Sequence, residues 1–365
     1  MTPVQQLGEV GQSVWIDYLS RKFVKEGDLK GLVDQGVVGV TSNPTIFQGA
    51  IAEGDAYDEQ IKAVAATESE PKEIFIALAR DDIRAACDIL RPVADAQEGK
   101  DGWVSFEVDP NLANDTQATV EEAKRLHALV DKPNVFIKIP ATPEGLGAIE
   151  ETIAAGIPVN VTLIFSLQRH REVAEAYIRG LRRLVDSGGD PSTIASVASF
   201  FVSRVDTEAD RRLDEIGGHD ELKGTLAIAN AKLAYQTYKE IFSGPAWDDL
   251  AKAGATPQRC LWASTSTKNP AYRDVLYVEE LIGADTVNTM PRETVEAFQD
   301  HGKVEPTLER DVDGARRVLE AFNEAGIDYD DVVDTLEREG VEKFAKSFRQ
   351  LFQHIEEKRD ALVAA

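Results

Sequence analysis

Short apolar or β-branched runs recur along the chain, and each is followed by a longer stretch whose apolar residues return every three to four positions among charged ones. Runs of that length predict strands, the longer period predicts helices, and their alternation predicts a parallel sheet covered by helices. Eight such runs occur: Val14-Trp15-Ile16, Val37-Val38-Gly39-Val40, Trp103-Val104-Ser105-Phe106, Val135-Phe136-Ile137, Val159-Asn160-Val161-Thr162, Ala195-Ser196-Val197-Ala198, Cys260-Leu261-Trp262-Ala263 and Asp285-Thr286-Val287-Asn288. Eight is the number that closes a (β/α)8 barrel. Helices are expected over 117–130, with Thr116 or Thr119 as its cap, over 144–155 and over 167–185. The stretch 48–96 is too long for one helix, and Pro71 is expected to divide it. From Pro291 onward the sequence is charged and helical, with Gly326 and Gly340 as breaks. Residues 1–365 therefore read as one α/β barrel domain, with about 303–365 as a helical extension packed on its exterior. Neither a linker nor a short internal repeat suggests a second unit.

The composition, 365 residues of which 43% are hydrophobic, supports a large core. A formal charge of -24 argues against nucleic-acid or anionic-membrane binding, which requires clustered cations. Any phosphate-bearing ligand must meet a local basic site in an acidic protein. Cys87 and Cys260 have no metal-ligand spacing, and two cysteines suit a reducing compartment. Residues 1–20 lack a basic stretch followed by an apolar one, and no uncharged run approaches the ~18 residues of a membrane span. A cytoplasmic location is expected.

In a barrel of this kind the chemistry lies at the C-terminal ends of the strands. Lys138 sits within the apolar strand Val135-Phe136-Ile137-Lys138-Ile139-Pro140, where its side chain leaves water whichever way it points. Burial disfavours an ammonium ion, and a neutral amine can attack a ketone to form a Schiff base. A lone lysine there is equally compatible with snorkelling or a structural ion pair. Glu107 and Asp17 end the third and first runs, so two carboxylates should converge on the same mouth and can divide the proton transfers of an aldol cleavage; singly, each reads as a solvated loop acid. Asn43 lies at a strand end turned by Pro44, with Thr45 available to cap the next helix. Asn160 and Thr162, two apart on one strand, share a face suited to sugar hydroxyls or a catalytic water. Ser199 and Arg204 flank Phe200-Phe201-Val202-Ser203, and Lys268 follows Ser264-Thr265-Ser266-Thr267. A cation beside hydroxyls at the late strands is where such barrels place a phosphate; as surface charges, Arg204 and Lys268 need no such role. The five histidines, His127, His170, His219, His301 and His354, fall in expected helices or loops and read as structural or solvent-facing.

Two segments resemble the two signatures of the transaldolases: Gly39-Val40-Thr41-Ser42-Asn43-Pro44-Thr45-Ile46-Phe47 and Phe136-Ile137-Lys138-Ile139-Pro140-Ala141-Thr142-Pro143-Glu144-Gly145-Leu146. The resemblance is greatest to the longer bacterial members, some of which are fused to glucose-6-phosphate isomerase. It implies a TIM barrel with additional C-terminal helices and Lys138 as the Schiff-base nucleophile. It further implies Asp17 as the acid/base at the substrate hydroxyl, and Glu107 with Thr162 positioning a water. Asn43, Asn160 and Ser199 match groups that hold the dihydroxyacetone unit, and Arg204 matches a phosphate-binding arginine. Lys268 falls where many members carry another arginine, which leaves Ser264 and Ser266 as alternative phosphate-contacting hydroxyls. The implied reaction moves a dihydroxyacetone unit from sedoheptulose 7-phosphate to glyceraldehyde 3-phosphate, giving erythrose 4-phosphate and fructose 6-phosphate, without metal or organic cofactor. A fructose-6-phosphate aldolase and a non-catalytic sugar-phosphate-binding barrel are the competing readings. The sequence does not fix an oligomeric state.

Overall fold

A computed structural model describes residues 1–52 and 54–364, so Glu53 and Ala365, within the expected segments 48–96 and 303–365, lie outside the described residues. The eight runs form eight strands: β1 (Gln12–Asp17), β2 (Val37–Thr41), β3 (Trp103–Glu107), β4 (Val135–Pro140), β5 (Val159–Ile164), β6 (Ser196–Phe201), β7 (Arg259–Ala263) and β8 (Thr286–Met290). Each pairs in parallel with the next, and β8 returns to β1, closing the (β/α)8 TIM barrel. β3, β4, β5, β6, β7 and β8 are buried at every position. Strands covered by helices outside and side chains inside therefore read as continuous apolar runs, not as alternating ones.

The floor of the barrel is filled. Asp101 accepts hydrogen bonds from Ser13 Oγ at 2.6 Å and Trp15 Nε1 at 2.9 Å and pairs with Arg259 at 3.0 Å. The Trp103 and Phe136 rings stack beneath the mouth at 4.2 Å.

Several local expectations change. β6 runs on through Phe201, so Ser199 lies within the strand and not after it. The helix Thr116–Val130 is capped by Asp115, whose carboxylate accepts from Ala118 N, and neither Thr116 nor Thr119 serves. Pro44 begins the helix Pro44–Ala52, and Asn43 Oδ1 accepts from Ile46 N at 3.1 Å; Thr45 instead bonds Ser347 Oγ at 3.0 Å. Pro71 does start a helix, but that helix, Pro71–Ala96, carries Pro92 in its interior. Pro92 has no N–H to give the Asp88 carbonyl, so one helical bond is missing a turn before that helix ends.

In the C-terminal region Gly326 is a break, with φ +86°, between the helices Val312–Glu324 and Tyr329–Ala364. Gly340 is not: it lies inside the second helix. That helix packs along Pro44–Ala52, Asp58–Ala65 and Pro71–Ala96, and also against Ser203–Ile216 and β5, which brings it from the flank across the open end of the barrel. Phe348 and Phe352 of this helix meet Phe75 of Pro71–Ala96 at ring distances of 5.7 Å and 6.2 Å, an aromatic clamp holding the helix down. Among the described residues, no helix is long and apolar enough to cross a membrane.

Candidate active site

Strand register assembles the polar cluster. Glu107 on β3 stands beside Lys138 on β4, Lys138 beside Asn160 on β5, and Asp17 on β1 beside Thr41 on β2. Lys138 Nζ donates to Glu107 Oε2 at 3.1 Å and to the Ser42 carbonyl at 3.2 Å. Both side chains are almost wholly buried, at 7% and 5% exposure. Removing two charges from water costs several kcal/mol for each ion, and an apolar pair of the same volume would hold the fold at least as well. A pair kept at that cost, at the reactive end of a barrel, points to chemistry and not to stability.

The two acids are tuned in the same direction. Burial holds the Asp17 carboxyl above the ordinary carboxylate range, opposed by the Lys138 charge, the Thr41 hydrogen bond and Arg204. Burial likewise raises Glu107, again opposed by Lys138, while the nearby Asp17 charge raises it further. Thr41 Oγ1 donates to Asp17 Oδ1 at 2.7 Å and meets Thr289 Oγ1 at 2.6 Å, which fixes the carboxylate's orientation. Two carboxyls with elevated proton affinity beside one amine can each take and return a proton.

The floor of the site is a hydrogen-bonded chain across three strands. Ser199 Oγ donates to Asn160 Oδ1 at 2.7 Å, and Asn160 Nδ2 donates to Ser105 Oγ at 3.0 Å. The amide is thereby oriented and held in place. Thr162 Oγ1 is buried without a protein partner among the described residues, so a hydroxyl in the barrel interior stays available to a ligand. Asn43 is half-buried, and its Oδ1 caps the helix that follows.

On the late strands the expected phosphate residues separate into two groups. Arg204, second residue of Ser203–Ile216, is mostly buried, with its guanidinium over the Phe201 ring at 5.0 Å; burial works against its charge and Asp17 supports it. Ser264, with φ +57°, turns back so that its Oγ meets Ser203 Oγ at 2.9 Å, next to Arg204 in the chain. Lys268 donates to Ser266 Oγ at 2.7 Å and is exposed. It lines a cleft of about 300 Å³ with Asp206, Asp210 and Asp214. Ser264 is thus brought to Arg204, while Lys268, bonded to Ser266, lies on an acid-rich outer cleft.

Four contributors went unrecognised in the sequence: Thr41, the Ser42 carbonyl, Ser105 and Phe344. Ser105 was available from strand period, since it shares a face with Glu107 two residues on. Thr41 adjoins Asn43 in the first signature. Phe344 carried no signal. Its ring lies 5.5 Å from Lys138 Nζ and 5.9 Å from the Arg204 guanidinium carbon. A cavity of about 700 Å³ lies at the opposite end of the barrel, between Trp103, Phe136, Ile194, Tyr238 and Arg259. Its cations are already neutralised, Arg91 by Asp95, Lys100 by Asp285 and Arg259 by Asp101, so size alone does not make it the reactive centre.

Comparison with known proteins agrees with this geometry. Residues 14–355 match the family described as transaldolase/fructose-6-phosphate aldolase. The transaldolase of Acidothermus cellulolyticus is 53% identical over 352 residues, covering 96% of this chain and 95% of that protein. That of Thermobifida fusca is 52% identical, covering 97% of each. That of Renibacterium salmoninarum is 51% identical, covering 100% and 98%. Matched over nearly its whole length and carrying a buried lysine–glutamate pair beside a half-buried aspartate at the mouth of its barrel, the chain belongs to the transaldolase/fructose-6-phosphate aldolase family.

Proposed function

We infer that this chain acts as a transaldolase of the non-oxidative pentose phosphate pathway, carrying a dihydroxyacetone unit reversibly from sedoheptulose 7-phosphate to glyceraldehyde 3-phosphate. The observation that carries the reading is the buried Lys138–Glu107 pair at 3.1 Å beside Asp17. Glu107 takes a proton from the lysine, and the free amine adds to the ketose C2. Loss of water, with Thr162 and Glu107 handling the proton, gives a protonated imine. Asp17 then removes the proton of the C4 hydroxyl, the C3–C4 bond breaks, and its electron pair moves toward the imine nitrogen, leaving an enamine on Lys138. The aldose departs and an acceptor aldehyde takes its place; the enamine carbon attacks it, and Asp17 returns the proton to the new hydroxyl. A protonated imine supplies the electron withdrawal that cleavage needs.

Asn160, oriented by Ser105 and Ser199, and Asn43 hold the hydroxyls of the three-carbon unit in this scheme. Arg204 with Ser264 takes the phosphate; Ser266 and Lys268, one turn of loop further out, serve its approach. A single barrel domain whose C-terminal helices cover the mouth, and a cytoplasmic location in keeping with the buried, unpaired Cys87 and Cys260, belong to the same reading. So does the exclusion of nucleic acid by a charge of -24.

Purified protein given fructose 6-phosphate, with and without erythrose 4-phosphate, tests the assignment. Sedoheptulose 7-phosphate formation far exceeding release of free dihydroxyacetone is expected. Release as the main outcome in the presence of acceptor contradicts it and favours an aldolase.

A further inference from the structure

The reactive lysine is roofed by an element outside the eightfold repeat. On the helix Tyr329–Ala364, Gly340, Phe344 and Phe348 recur every four residues and so share one face. Gly340 rests on the end of β5. A Cβ there would stand 3.1 Å from Leu163 Cδ2 and 3.5 Å from the Phe165 ring, so any side chain at this position presses on Leu163. Leu163 itself is held at φ +61°, where β5 slips its register against β6, in a left-handed conformation costly for so large a side chain. One turn on, Phe344 is 8% exposed and covers Lys138 Nζ and Arg204. A turn further, Phe348 borders the crevice that also contains Glu107. The helix is therefore seated against the strand that bears Asn160 and Thr162, and it presents an aromatic face to the reacting nitrogen.

We propose that Phe344 is the residue that makes the enzyme transfer its three-carbon unit instead of releasing it. The inference rests on the Schiff-base reading given above. After the aldose leaves, the enamine has two fates. It attacks an acceptor aldehyde, or its C3 takes a proton, water adds at C2 of the resulting iminium, the C2–N bond breaks with its pair remaining on Lys138 Nζ, and free dihydroxyacetone departs. Either route ends with one water adding at C2 of an iminium to free the ketone, so the two part earlier, at C3, which release requires to be protonated from water before an aldehyde reaches it. The Phe344 ring stands over that nitrogen and offers water no hydrogen-bond partner. Its face also favours the cationic amine and iminium, as expected for a cation within about 6 Å of an aromatic centroid. Phe344 acts as a shielding and positioning residue: it touches the nucleophile and Arg204 but exchanges no proton.

The test compares the unmodified enzyme with Phe344→Ala and Phe344→Leu, using fructose 6-phosphate as donor. Three quantities are read: free dihydroxyacetone without acceptor, sedoheptulose 7-phosphate with erythrose 4-phosphate, and the borohydride-reduced adduct on Lys138. The ratio of release to transfer is expected to rise roughly tenfold in Phe344→Ala, and less in Phe344→Leu, which keeps apolar cover. A merely structural role lowers both rates together and leaves the ratio unchanged, and that result overturns the proposal. Should Phe344→Ala fail to fold, Phe344→Leu carries the comparison, and an unchanged ratio there overturns it equally. An unmodified enzyme that forms the adduct on Lys138 while the ratio stays constant sinks this inference alone. An unmodified enzyme that forms no adduct sinks the Schiff-base reading and takes the inference with it.

Discussion

Lys138, Glu107 and Asp17 were each ambiguous as single residues, and what resolves them is shared position: three strand ends brought to one mouth by register. Their order along three strands was legible because each follows an apolar run by a fixed number of residues. Their protonation behaviour was not, since it depends on burial that only the closed barrel and its roof create. Burial raises both carboxyls, and because the two charges interact they titrate as a coupled pair. Cleavage needs the ionised form of Asp17. For an acid of raised proton affinity that form is lost as pH falls through a range above the ordinary value of 3.8. The acidic fall of kcat is therefore expected at higher pH than an exposed aspartate would give. Asp17→Asn is expected to lower kcat by about 10²- to 10⁴-fold while still forming an imine. Borohydride should then trap the intact six-carbon ketose on Lys138, where the unmodified enzyme yields the three-carbon adduct, as read by mass spectrometry. A three-carbon adduct accumulating at the normal rate in Asp17→Asn contradicts its role.

At the level of elements, the strands declared themselves by length and β-branched content, whereas caps and breaks were misassigned where two residues competed for one task. Asp115 precedes Thr116, and an aspartate accepts from the N3 amide as well as a threonine does. Asn43 likewise takes the cap that Thr45 was expected to fill. In the sequence Gly340 reads as a break because glycine disfavours helix interiors by about 1 kcal/mol against alanine. Its presence reflects close approach to Leu163 and Phe165. Gly340→Leu adds a side chain into that contact and is expected to cost about 1 to 3 kcal/mol in urea-induced unfolding, the usual penalty of overpacking. It should also lower the transfer rate, because the helix must lift from the mouth. Unchanged stability with unchanged transfer shows that the helix does not depend on this seat.

For the molecule as a whole, eight repeated strand-helix units were enough to name the barrel, because closure follows from their number and the parallel connection. The amphipathic C-terminal sequence showed that one face of its helices must be buried, yet gave no sign of which part of the barrel it covers. Coverage of the mouth is a long-range outcome, set by the Phe348 clamp on one flank and Gly340 on β5. A net charge of -24 also gave no sign that Arg204 and Lys138 would meet at the mouth beneath one ring, that of Phe344. Catalysis at this mouth depends on the enclosed amine forming the covalent bond to the ketose. Borohydride reduction of the enzyme with fructose 6-phosphate, followed by peptide mapping, tests it most directly. A dihydroxyacetone-derived addition on Lys138, absent from Lys138→Ala, is the predicted result; an addition on another lysine, or none from an enzyme that turns over, contradicts it.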